Sequence, residues 1–162
     1  MAAVITITNK GTDYYVTVNG RATFEHAPQL RSLAKTLENT TYTSINVDLG
    51  ACTGMDSTFM GILSMLGLNA RKNNIPMTIF NAGDANKGLL FGLGLKKLFQ
   101  YKDEAMTADG GTGWSSNETL PTGMDAKTVL EAHQTLMDAD EQNVKKFEKV
   151  VEMVQRDIEK RG

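Results

Sequence analysis

Residues 45–63, INVDLGACTGMDSTFMGIL, decide how the rest of the chain is read. Ile45, Val47 and Leu49 alternate with polar residues, the period of a half-buried strand. Asp48 closes that strand, and Gly50 and Gly54 loosen the backbone after it. From Ser57 to Lys72 the residues Phe59, Met60, Ile62, Leu63, Met65, Leu66 and Leu68 make a helix apolar on nearly every side, which buries it against a sheet. Asp56-Ser57-Thr58 sits at the joint. In the plainest reading Asp56 or Ser57 caps the helix by accepting from an orphan amide, worth about 1 kcal/mol. A site that accepts a phosphate uses the same residue types there, because first-turn amides and the helix dipole favour an anion.

The elements on either side supply an α/β domain. Upstream, VITIT (4–8) and YYVTVNG (14–20) are β-branched and aromatic runs around a short polar turn, a hairpin. Pro28 suits the first position of a helix, with Leu30, Leu33, Ala34 and Leu37 at helical spacing behind it. Downstream, Asn73-Asn74 ends the apolar helix and PMTIF (76–80) reads as a strand. A further helix follows Asp84, and GLGLKKLF (92–99) closes the unit near Tyr101. The order β-β-α-β-α-β-α implies a small mixed β-sheet with helices packed on it. The domain spans 1–105.

Residues 106–123 are rich in Gly, Ser and Thr, lack periodicity, and read as a linker or loop with Trp114 alone inside it. Residues 124–162 form a C-terminal helical extension, read as one long helix from 126 to 160 after an Asp125 cap. Leu130, His133, Met137, Asp140, Val144, Phe147, Val151, Val154 and Ile158 follow 3-4 spacing, a heptad seam. Its apolar half, Val144, Phe147, Val151, Val154 and Ile158, needs a partner surface: its own domain, or a second chain in a homodimer.

Composition excludes several classes of function. The 17 Lys and Arg against 19 Asp and Glu give a net charge of −2, without the basic balance of a nucleic-acid binder. No apolar run is long enough to span a bilayer, and the N-terminus lacks the pattern of a signal peptide, which points to the cytoplasm. The chain has no metal-ligand cluster, no nucleotide-binding or hydrolase motif, and no signature of a cofactor. His26 and His133 lie in different segments, and Cys52 has no local basic neighbour to activate it. The residues read as non-catalytic.

Set together, VDLGACTGMDSTFMGIL, Asn19-Gly20 after the second strand and GLKKLF (94–99) resemble the STAS domains of the anti-sigma factor antagonist family over residues 4–103. That resemblance implies a signalling module whose serine after the motif Asp is phosphorylated by a partner kinase that is often also an anti-sigma factor. The unphosphorylated form binds this partner and frees a sigma factor. Ser57 is the implied phosphoacceptor and Thr58 a weaker one; Asp48, Asp56, Thr58, Phe59 and Met60 are the implied switch and partner-binding residues. The sequence departs from the family in having Gly20-Arg21-Ala22-Thr23 where acids are common, and Phe59-Met60-Gly61 where Gly-Leu-Gly is common. The alternative is a scaffold or oligomerisation protein that uses its C-terminal helix, with Ser57 only a cap.

Overall fold

A computed structural model describes residues 4–106, 112–115 and 125–161, with 112–115 described by their backbone alone. The opening hairpin is β1 (Val4–Lys10) and β2 (Asp13–Ala22), followed by α1 (Ala27–Glu38), β3 (Ser44–Met55), α2 (Ser57–Lys72), β4 (Met77–Phe80) and α3 (Asp84–Gly92). A 3-10 turn at Lys96–Leu98 leads into β5 (Gln100–Lys102). Then come β6 (Thr112–Ser115), α4 (Ala126–Ala139) and α5 (Gln142–Arg161).

The strands form one mixed sheet in the order β5-β4-β3-β2-β1-β6. β2, β3, β4 and β5 run parallel, joined by the three helical crossovers, while β1 pairs antiparallel with both β2 and β6. Its register aligns Ile7, Val16, Val47 and Ile79 across four strands, and all four are buried. This row and its neighbours Ile5, Val18, Ile45 and Leu49 share a core with Leu30, Leu33 and Leu37 of α1 and Phe59, Ile62, Leu63 and Leu66 of α2.

The apolar character of α2 has a second cause besides the sheet. α4 lies along α2 and α5 packs on α4, so α2 is enclosed between sheet and hairpin. Ala132 and Leu136 of α4 are fully buried in the common core. The tail therefore folds onto its own domain.

Four sequence expectations need correction. The strand read as ending at Asp48 runs on to Met55, pairing with Asn19–Ala22 through two register shifts. Such bulges break the period-2 pattern, and Gly50, Thr53 and Gly54 carry no apolar signal, so this half looks like a loop. β5 and β6 are additional strands, the latter inside the stretch read as a linker; the rest of that stretch, 107–111 and 116–123, lies outside the described residues, as does the side chain of Trp114. GLGLKKLF (92–99), read as closing the unit, holds a 3-10 turn at Lys96–Leu98 ahead of β5.

The single long tail helix is two helices. Asp140 takes an extended backbone (φ −152, ψ 124) and its Oδ1 accepts from the Gln142 amide at 2.9 Å, which caps a new helix. This residue breaks the continuous heptad seam. Val151 and Val154 are buried, Phe147 packs on the core, Ile158 is half-buried and Val144 is exposed.

Candidate functional site

The site forms where the C-terminal end of β3 passes into α2. Asp56 is the N-cap, extended at φ −95 and ψ 173, and both its carboxylate oxygens are engaged. The Phe59 amide donates to Oδ1 at 2.9 Å, satisfying a first-turn N–H. The Phe24 amide donates to Oδ2 at 2.7 Å and ties the β2–α1 connection to the same point. Ser57 is thereby held as the first helical residue, with its hydroxyl free of capping duty.

The Ser57 hydroxyl meets a residue 76 positions away. Its Oγ lies 2.9 Å from Nε2 of His133 on α4. The other ring nitrogen, Nδ1, is 2.7 Å from the Val129 carbonyl, which can only accept. In the neutral ring the proton therefore sits on Nδ1, and Nε2 accepts from Ser57. His133 is buried and also makes an edge contact with Phe147 of α5 at 4.9 Å.

One turn further along α2, Gly61 receives α4. A Cβ at Gly61 would lie 2.6 Å from the Ala132 Cβ and 2.7 Å from its carbonyl carbon. Ser57, Gly61 and Ser64 recur at i, i+4 and i+7, a strip of small residues that lets the two backbones approach.

Polar contacts hold the rim. Arg31 of α1 forms a bidentate pair with Glu131 of α4, Nε to Oε2 at 2.9 Å and Nη2 to Oε1 at 2.8 Å, and Lys35 stands 3.4 Å from the same carboxylate. The hydrogen bond from Arg31 depresses the Glu131 pKa, and Glu131 in turn raises that of Arg31. At the far end, the Asn143 amide donates to the carbonyls of Leu93 (2.9 Å) and Leu136 (2.8 Å), and Lys146 donates to the Gly92 carbonyl at 2.8 Å. Gly94, at φ +73, packs against the Asp140 carboxylate where any Cβ would clash.

The sequence-expected residues fall in different places. Asp56 and Ser57, adjacent in the sequence, stand at the N-terminus of α2. Thr58 (5% exposed), Phe59 and Met60 are buried and offer no surface to a partner in this conformation. Asp48 lies in mid-strand, where it alternates with Val47 and Leu49; its Oδ1 accepts from the Gly50 amide at 2.8 Å. It belongs to the opposite side of β3 from the core-facing residues. Cys52 is buried, its thiol directed at the Gly54 carbonyl and its pKa raised by burial. His133, Arg31, Glu131 and Gly61 were not expected at the site. In the sequence His133 lies on the heptad seam and Gly61 among the small residues of α2, whereas no local pattern marks Arg31 or Glu131.

No family model matches the chain, and the search of curated proteins found no significant relative. Solved structures do match. The anti-sigma factor antagonist SpoIIAA in its unphosphorylated form aligns at 12% identity and a TM-score of 0.51, over 63% of this chain and 89% of that one. The chain has the fold of the anti-sigma factor antagonists. A Thermotoga maritima protein proposed as an anti-sigma factor antagonist aligns at 13% identity and a TM-score of 0.55, over 62% and 86%. An antagonist from Mycobacterium paratuberculosis aligns at 18% identity and a TM-score of 0.50, over 64% and 87%. Each alignment takes in most of the neighbour and leaves more than a third of this chain unmatched. Among the described residues no helix is long and apolar enough to cross a membrane.

Proposed function

We propose that this chain is a non-catalytic signalling module of the anti-sigma factor antagonist type, acting in the cytoplasm and switched by phosphorylation of Ser57. The observation that carries this reading is the placement of Ser57 as first residue of α2, behind an Asp56 cap, in a fold shared with such antagonists. The partner is a serine kinase that doubles as an anti-sigma factor. It binds the unphosphorylated chain and lets go of the phosphorylated one.

The energetics suit a binding switch better than a folding switch. A phosphate brings about −1.5 to −2 charges. At a helix N-terminus it gains roughly 0.3–2 kcal/mol from amides and dipole, and the adjacent Asp56 carboxylate opposes it by a similar amount. The domain itself changes little in stability. A protein surface closed over Ser57 would instead enclose an unpaired charge, at a cost of several kcal/mol, and each 1.4 kcal/mol is tenfold in affinity.

The test is capture from extract of the native cell on the immobilised chain, either unmodified or carrying genetically encoded phosphoserine at position 57. The unmodified chain should retain a protein with a serine-kinase ATP site and the phosphoserine chain should not. Equal retention by both, or none by either, would remove the switch.

A further inference from the structure

We propose that the α4–α5 hairpin is a built-in cover over Ser57, and that hairpin docking and phosphorylation of Ser57 exclude one another. The proposal deepens the phospho-switch reading and rests on it for its biological use, whereas the coupling itself rests on the geometry of the hairpin.

Three observations carry it. The Ser57 hydroxyl is occupied by a buried histidine, Nε2 at 2.9 Å, on a ring fixed from behind by the Val129 carbonyl at 2.7 Å. A kinase must seat that hydroxyl in its own site, and cannot while His133 holds it. Next, α4 has no slack over Ser57, because Ala132 already sits in the notch at Gly61. Finally, a phosphoryl group replaces the one donor in the contact by acceptor oxygens, facing a ring nitrogen that itself accepts, beside the Asp56 carboxylate. Under the docked hairpin the phosphate meets an accepting ring nitrogen and the Asp56 carboxylate, with only first-turn amides to offset them.

The hairpin is also built to come away as a unit. Its rim is held by Arg31–Glu131, Asn143 on the Leu93 carbonyl and Lys146 on the Gly92 carbonyl. α5 packs on α4, whereas α4 packs on both α2 and α5, so α5 follows α4 when α4 leaves α2. Reciprocity follows from linkage: whatever factor docking takes from the modification of Ser57, the modification takes from docking. The undocked state bares the Ser57–Gly61–Ser64 strip of α2.

The experiment is hydrogen exchange on the full chain, with serine or encoded phosphoserine at position 57. Exchange of the α4 amides should speed up at least tenfold in the phosphoserine chain, while β2, β3 and β4 keep their protection. Unchanged or slower exchange in α4 would overturn the proposal, since the histidine would then be holding the phosphate. If the sheet loses protection too, a second arm decides. In a Cys52→Ala background, Ser57→Cys should react with a thiol reagent at least tenfold more slowly than in the urea-unfolded chain. Adding Glu131→Arg should speed that reaction several-fold. A cysteine at 57 that reacts freely from the outset would equally overturn the cover. Neither arm needs a kinase, so absence of phosphate in cells would sink the functional reading and leave the coupling standing.

Discussion

Replacing Gly61 by alanine separates the stability of the domain from the docking of the hairpin. Alanine is worth about 1 kcal/mol more than glycine in a helix interior, so α2 by itself should gain. The new Cβ, however, would stand 2.6 Å from the Ala132 Cβ and 2.7 Å from its backbone carbonyl carbon. Backbone cannot rotate aside as a side chain would, so α4 must shift. Overpacking of this kind costs typically 1–3 kcal/mol. The propensity gain is present whether or not α4 is docked, and so the docking equilibrium bears the whole clash. The docked fraction should fall by a factor of about 5 to 150 relative to the undocked. Amide exchange resolved by segment is the assay: α4 and α5 should lose protection, and α2 and the central strands should keep or gain it. Gly88→Ala on α3 is the control, because a Cβ there meets nothing within 4 Å. It should raise the melting temperature without touching α4. A Gly61→Ala chain that simply melts higher, with α4 as protected as before, would refute the close approach of α4 to α2.

Asp56→Ala removes the acceptor for two amides, those of Phe59 and Phe24, and should cost about 2–4 kcal/mol in urea unfolding. Asp56→Asn keeps one acceptor oxygen and should lose less. Glu131 has its pKa held below the ordinary value by Arg31, so its contribution is present above the carboxylate range and is lost as pH falls through its folded pKa. The stability difference between the native chain and Glu131→Gln should be small, because the pair is partly exposed, and should vanish in acid. A difference that grows as pH falls would have the wrong sign for this pair. Asn143→Leu removes the donor to the Leu93 and Leu136 carbonyls at a buried position and should loosen α5 first, seen as early exchange in 142–161.

What could be read from the sequence follows the periodicity of each segment. Val4–Lys10, α1 and Ser57–Lys72 carry strong patterns, and their elements stand where the patterns put them. The second half of β3 carries none, because bulges and glycines replace alternation with backbone pairing to Asn19–Ala22. β5 is three residues long and β6 four, too short for a pattern to emerge. The tail misled for a different reason. Asp140 lies on heptad spacing, and only its backbone turn and its bond to Gln142 show it to be a stop and a start. The contact between Ser57 and His133 spans 76 positions and depends on where the hairpin returns, which no local signal encodes. Ser57, Gly61 and Ser64 are small residues in a helix apolar on nearly every side, and the approach of α4 supplies their physical reason.

The account turns on whether Ser57 is a phosphoacceptor. The most direct measurement is intact-mass and peptide mass spectrometry of the protein isolated from its native cell during growth and under stress, with Ser57→Ala alongside. The account predicts a phosphate on the peptide containing Ser57 whose occupancy changes with condition and which is absent from the alanine chain. An unmodified Ser57 under every condition would contradict it, leaving that residue the first of α2 and a structural partner of His133.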